Sequence, residues 1–137
     1  DMATDLLYKY GISIGLAFQL QDDLLDTYAD SDEFGKPVGG DILEGKKTFL
    51  LTNALARADE PARRSLLELL SDRTIVPAEK IARVRAIYDR LGIRELTEKA
   101  VAAYFVDANL ALDALEVAPD RLKPLRELTA ELQGRRK

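Results

Sequence analysis

Histidine and cysteine are both absent from the 137 residues. Without cysteine there can be no disulfide and no thiolate metal site. Without histidine, Ser-His and Cys-His nucleophiles are excluded, as is imidazole-ligated zinc or iron. Any metal bound here is bound through oxygen, which selects Mg2+, Mn2+ or Ca2+. Long apolar runs are missing as well: none approaches the ~18 residues that a membrane span needs. No signal-peptide pattern is legible. These absences lead us to expect no stable membrane insertion and a cytoplasmic location. The chain also lacks a long basic run with interleaved aromatics, and its net charge is −4. Nucleic acid is therefore not an expected partner. The one basic cluster, Arg135-Arg136-Lys137, reads as a solvated tail. No β alternation, internal repeat or low-complexity tract is visible.

What is present is an apolar complement large enough for a core, 47% hydrophobic against 32% charged residues. That balance fits one soluble globular domain or part of one. Residues 5–29 read as a long helix, with Leu7, Ile14, Ala17, Leu20, Leu24 and Leu25 along one broad side. Gly11 and Gly15 fall on another side. A glycine inside a helix costs about 1 kcal/mol relative to alanine, so this pair predicts close approach, by a neighbouring helix in preference to a ligand. Residues 30–45 hold four glycines and a proline and are expected to form a loop. Beyond it every segment reads as helix. Asp59-Glu60-Pro61 and Pro77 mark starts, Leu91-Gly92 a C-terminal cap, residues 93–117 a long alanine-rich helix, and Leu125, Leu128 and Leu132 a last amphipathic one closed by Gly134.

The most informative stretch is Phe18-Gln19-Leu20-Gln21-Asp22-Asp23-Leu24-Leu25-Asp26. A helix turns about 100° per residue, so Asp22 and Asp26 share a face, with Asp23 beside them and Gln19 one turn earlier. Like charges at i,i+4 cost roughly 0.2–0.5 kcal/mol per pair. Such clustering is poor stability design unless a cation arrives from outside; a solvated acidic stripe is the alternative on spacing alone. Lys36 follows just past the helix end, and Lys46 and Lys47 lie where the next helix starts. The loop also half-matches a calcium EF-hand through Asp30, Asp32, Gly35 and Asp41. Phe34 fails as a ligand, Pro37 is out of place and Asp41 replaces the bidentate Glu, so that reading is set aside. Hard divalent cations held by carboxylates on a helix face suit diphosphate, whose growing charge on C–O cleavage the metals and a nearby lysine stabilise.

The segment Gly15–Asp26, the loop Phe34-Gly35-Lys36-Pro37-Val38-Gly39-Gly40-Asp41-Ile42 and Lys46-Lys47-Thr48 together resemble the second aspartate-rich region of trans-polyprenyl diphosphate synthases. The resemblance implies an all-α helical bundle of the isoprenoid synthase type, with residues 1–137 as its C-terminal part. It implies head-to-tail prenyl transfer, condensing an allylic diphosphate with isopentenyl diphosphate, with Mg2+ as cofactor and Mn2+ as the alternative. Asp22, Asp23 and Asp26 are expected to bind the metal, Asp22 most directly. Lys36 is expected to bind the allylic diphosphate and help it depart, and Lys46 (or Lys47) to add charge there. Phe18 and Gln19 are expected to line the cavity near the reacting carbons. The first aspartate-rich motif of that family has no counterpart here, so the chain alone is expected to be inactive and its full-length parent to be a homodimer. A non-catalytic partner subunit with the same fold is the other reading; the lysine-bearing loop argues against a terpene cyclase.

Overall fold

Prolines and short polar side chains set the helix boundaries. The computed structural model describes residues 1–29 and 38–135. Its helices are α1 (Met2–Tyr28), α2 (Gly40–Glu44), α3 (Phe49–Arg57), α4 (Glu60–Ser71), α5 (Pro77–Arg90), α6 (Ile93–Asp113) and α7 (Pro119–Gln133), with no strand among the described residues. The Thr48 hydroxyl caps α3 by accepting from the Leu51 amide at 3.1 Å. Asp59 caps α4 by accepting from the Ala62 amide at 2.9 Å, with Pro61 in the first turn. Pro77 and Pro119 open α5 and α7 after extended residues Val76 and Ala118, as a residue before proline prefers. Gly92, at φ 68°, follows α5 in the left-handed conformation that glycine adopts without cost.

Two departures from the sequence expectation are local. The second half of the 30–45 stretch is not wholly loop, since α2 adds a helical turn between Gly39 and Gly45. The alanine-rich helix stops at Asp113 rather than at 117, four residues short, because the chain must become extended ahead of Pro119.

The chain divides into two compact units, Asp1–Gln21 with Lys99–Arg136, and Asp22–Glu98. In the first, Tyr10 of α1 packs with Ala108, Ala111, Leu112, Leu115 and Leu122. Its hydroxyl is 2.7 Å from the Thr129 hydroxyl, which donates to the Leu125 carbonyl, so the buried polar atoms are paired. In the second unit the core is Ile42, Leu50, Leu51, Ala54, Leu66, Val84, Ile87, Tyr88 and Ile93. Full burial of a Leu, Val or Ile side chain contributes about 1.5–3 kcal/mol, and Leu50, Leu66, Val84 and Ile93 are all completely enclosed.

Leu7, expected inside, is exposed, as are Tyr8, Ile12 and Leu16 on the same helix. The close approach predicted at Gly11 and Gly15 is also not found: a Cβ placed on either meets nothing within 4 Å among the described residues.

Candidate functional site

The three aspartates of α1 fall in three different environments. Asp22 and Asp26 are part-exposed, whereas Asp23 is only 4% exposed. Burial pushes the Asp23 carboxyl up to about 6; the Lys46 ammonium pulls it down, and the charges of Asp41, Asp22 and Asp26 push it further up. Lys46 Nζ also lies 3.9 Å from Asp41 Oδ1, and Lys47 is exposed.

Asp26 is tied to the far end of the loop. Its carbonyl accepts from the Gly39 amide and its Oδ2 from the Asp41 amide at 2.9 Å. Gly39, at φ 92°, is hemmed in from α5: a Cβ there would lie 2.4 Å from Ile81 Cδ1. Two reasons therefore require glycine at 39, the left-handed backbone and the lack of space. Lys36, a candidate diphosphate ligand by sequence, lies outside the described residues, as do Asp30, Asp32, Phe34, Gly35 and Pro37.

Just beyond Asp26, two guanidinium groups lie over the Tyr28 ring. Arg85 of α5 and Arg94 of α6 lie 5.4 Å and 4.9 Å from its centroid. The Tyr28 hydroxyl is buried near the Asp89 carboxylate. Burial first, and then the Asp89 charge, push its pKa up to about 12. Nothing in the periodicity marks this clasp, because an arginine on a helix reads as a solvated residue.

Phe18 and Gln19 belong to the first unit, where both are exposed. Arg135 covers the Phe18 ring, 4.1 Å from its centroid, and donates to the Phe18 carbonyl at 3.5 Å. Next to them Gln21 donates to the Leu132 carbonyl at 2.9 Å. The last turn of α7 is thereby joined to α1 at Phe18 and Gln21. Arg135 had read as part of a solvated tail, so this contact is a further residue that the sequence reading missed.

The donor set is wholly oxygen, as a hard cation requires. Among the described residues no three carboxylates are grouped so as to hold a metal ion by themselves.

The family model described as polyprenyl synthetase matches residues 1–91. The chain belongs to the polyprenyl synthetase family. This polyprenyl synthetase chain is 40% identical over 124 residues to a short chain isoprenyl diphosphate synthase of Methanothermobacter thermautotrophicus, a match covering 90% of the chain and 34% of the relative. The crystal structure of a geranylgeranyl pyrophosphate synthase superposes with a TM-score of 0.86 at 33% identity, over 100% of this chain and 43% of that one. A geranylgeranyl pyrophosphate synthase from Corynebacterium glutamicum, complexed with isoprenyl diphosphate and magnesium, superposes with a TM-score of 0.84 at 32% identity, over 97% and 37%. The fold is thus the all-α bundle of the polyprenyl synthases. The chain spans about a third of the curated relative's length. Among the described residues no helix is long and apolar enough to cross a membrane.

Proposed function

We propose that this chain supplies the second aspartate-rich half of a Mg2+-dependent prenyl transfer site, in an enzyme that condenses an allylic diphosphate with isopentenyl diphosphate. The supporting observation is Asp22, part-exposed on α1, in the unit that also holds the Asp26–Asp41–Lys46 arrangement. Asp22, with Asp23 and Asp26 on the same acidic face, would hold Mg2+ or Mn2+, which when bound would neutralise diphosphate oxygens as charge builds on them. Lys46 supplies a point charge to the diphosphate, and Lys36 is assigned the same duty from the sequence. The allylic C–O bond breaks, the isopentenyl double bond attacks the allylic carbon, and the proton is lost to the departing diphosphate. Phe18 and Gln19 wall the organic fragment.

On this reading residues 1–137 are the C-terminal part of a synthase domain, the full-length parent is a homodimer, and this chain alone does not turn over. The experiment is a prenyl transfer assay with labelled isopentenyl diphosphate, an allylic diphosphate and Mg2+. Incorporation by the parent and none by the isolated chain supports the proposal. No incorporation by the parent, with its fold intact, supports a non-catalytic partner subunit instead.

A further inference from the structure

Helix α1 ends in a way that its own sequence does not support. Its last two turns carry Asp22, Asp23 and Asp26, and its last turn has no basic residue. The carbonyl end of a helix bears partial negative charge, which favours cations and disfavours carboxylates. Like charges at i,i+4 add to the disadvantage. A helix end of this composition frays readily, and Asp26 stands two residues before the last helical position, Tyr28.

Other helices supply the support that α1 lacks. Tyr28 packs against the core that Val84 and Ile87 of α5 and Ile93 of α6 help to build. Arg85 of α5 and Arg94 of α6 lie 5.4 Å and 4.9 Å from its ring centroid. A guanidinium within about 6 Å of a tyrosine ring centroid is attracted by the negative face of the ring. The Asp89 carboxylate is near the Tyr28 hydroxyl, and Arg94 Nε lies 3.6 Å from Glu98 Oε1, so the two cations stand among anions that offset them. The ring itself, rather than a surplus of positive charge, is therefore what joins the three helices. All of these residues belong to the Asp22–Glu98 unit.

We propose that Tyr28 is a positioning residue, fastened by Arg85 and Arg94, which holds the last turn of α1 and so keeps the Asp22–Asp26 face in shape before a cation arrives. Ligand carboxylates must sit within about 0.5 Å of their productive geometry. If the turn frays, only the unfrayed fraction binds, and the apparent affinity falls by that fraction. The inference rests on the reading of the acidic face as a Mg2+–diphosphate site, and it adds residues that act on that face through the helix.

The Ala29 amide reports the last turn, since it donates to the Leu25 carbonyl at 3.0 Å. Its hydrogen exchange is followed by NMR in this chain. Protection is expected to fall at least about tenfold in Tyr28→Leu and in the double variant Arg85→Met/Arg94→Met, and to survive in Tyr28→Phe, which keeps the ring. Leu69→Ala is the control, because Leu69 packs on the same core from α4 and its truncation weakens that core without removing the ring. The second measurement is the rate of isopentenyl incorporation by the full-length parent across a Mg2+ titration. Tyr28→Leu is expected to need at least about fivefold more Mg2+ for its half-maximal rate, with kcat at saturating Mg2+ within about threefold of wild type. Tyr28→Phe and Leu69→Ala are expected to keep the wild-type Mg2+ requirement. Unchanged Ala29 protection in Tyr28→Leu and in the arginine double variant overturns the proposal. An unchanged Mg2+ requirement in Tyr28→Leu also overturns it, as does an equal rise in Leu69→Ala, which would make the effect one of general stability. If Tyr28→Leu does not fold, the arginine double variant decides by the same two measurements. If Asp22→Asn leaves the rate and the Mg2+ requirement unchanged, the reading of the acidic face fails, and Ala29 exchange still decides whether Tyr28 holds the turn.

Discussion

Replacing Lys80 by methionine should destabilise the Asp22–Glu98 unit by about 2–4 kcal/mol. Lysine is among the residues least often buried, yet Lys80 is only 7% exposed. Its ammonium donates to the Leu70 carbonyl at 3.0 Å and to the Asp72 carbonyl at 3.1 Å. Both lie at the C-terminal end of α4, where carbonyls have no intrahelical donor and where the helix dipole favours a cation. Hydrogen bonds to charged groups are worth about 1.5–3 kcal/mol each. Two of them give roughly 3–6 kcal/mol, from which the relief of a buried charge must be subtracted. Methionine keeps most of the aliphatic stem, so Lys80→Met isolates the ammonium, and Lys80→Ala adds the packing loss. Urea unfolding reads the magnitude, and amide exchange over residues 60–90 shows whether the loss is local. The difference between wild type and Lys80→Met should persist in about 1 M salt, where the Debye length is about 3 Å, because a buried pair is screened little. A Lys80→Met midpoint within about 0.5 kcal/mol of wild type, the range of an ordinary surface substitution, would refute the reasoning.

Three further outcomes follow from the same unit. Gly39→Ala meets a left-handed backbone, costing about 1–2 kcal/mol, and a contact with Ile81 that costs about 1–3 kcal/mol more; urea midpoints should show this loss, while Gly40→Ala, with no contact closer than 3.6 Å, stays near wild type. Tyr28→Ala should cost clearly more than Tyr28→Phe by removing the ring over which Arg85 and Arg94 lie, read from urea midpoints of the two variants. Asp23 should give a reversed pH dependence in metal-free buffer. Its folded pKa of about 6 lies above the 3.8 usual for an aspartate carboxyl, so its protonated form stabilises the fold at low pH, and that contribution is lost as pH rises through 6. Asp23→Asn should therefore gain about 1–3 kcal/mol over wild type at pH 8 and little at pH 4, read from urea midpoints at the two pH values.

The helical architecture was legible because its boundaries are chemical. Pro61, Pro77, Gly92, Pro119 and Gly134 are where the sequence places them, and the acidic stretch lies on one helix as its spacing requires. What was not legible depends on contacts between residues distant in sequence. The Asp26 to Asp41 hydrogen bond crosses fifteen residues, and no periodicity reports it. Lys80 and Arg94 carry no mark in the sequence because their partners, the end of α4 and the Tyr28 ring, come from other elements. The burial of Asp23 between two part-exposed aspartates depends on its surroundings, while the motif treats all three alike. Gly11 and Gly15 predicted a packed neighbour because a helical glycine usually has one; among the described residues nothing lies within 4 Å of a Cβ on either.

The central claim, that the α1 acidic face is the cation arm of a prenyl transfer site, is tested most directly by Asp22→Asn in the full-length parent. The measurement is the initial rate of isopentenyl incorporation across a Mg2+ titration. We predict a loss of at least about a hundredfold in kcat, since an electrostatic contact made at the developing charge is typically worth that much, with an unchanged helical circular dichroism spectrum. A rate within a few-fold of wild type, at the same Mg2+ requirement, would contradict the account.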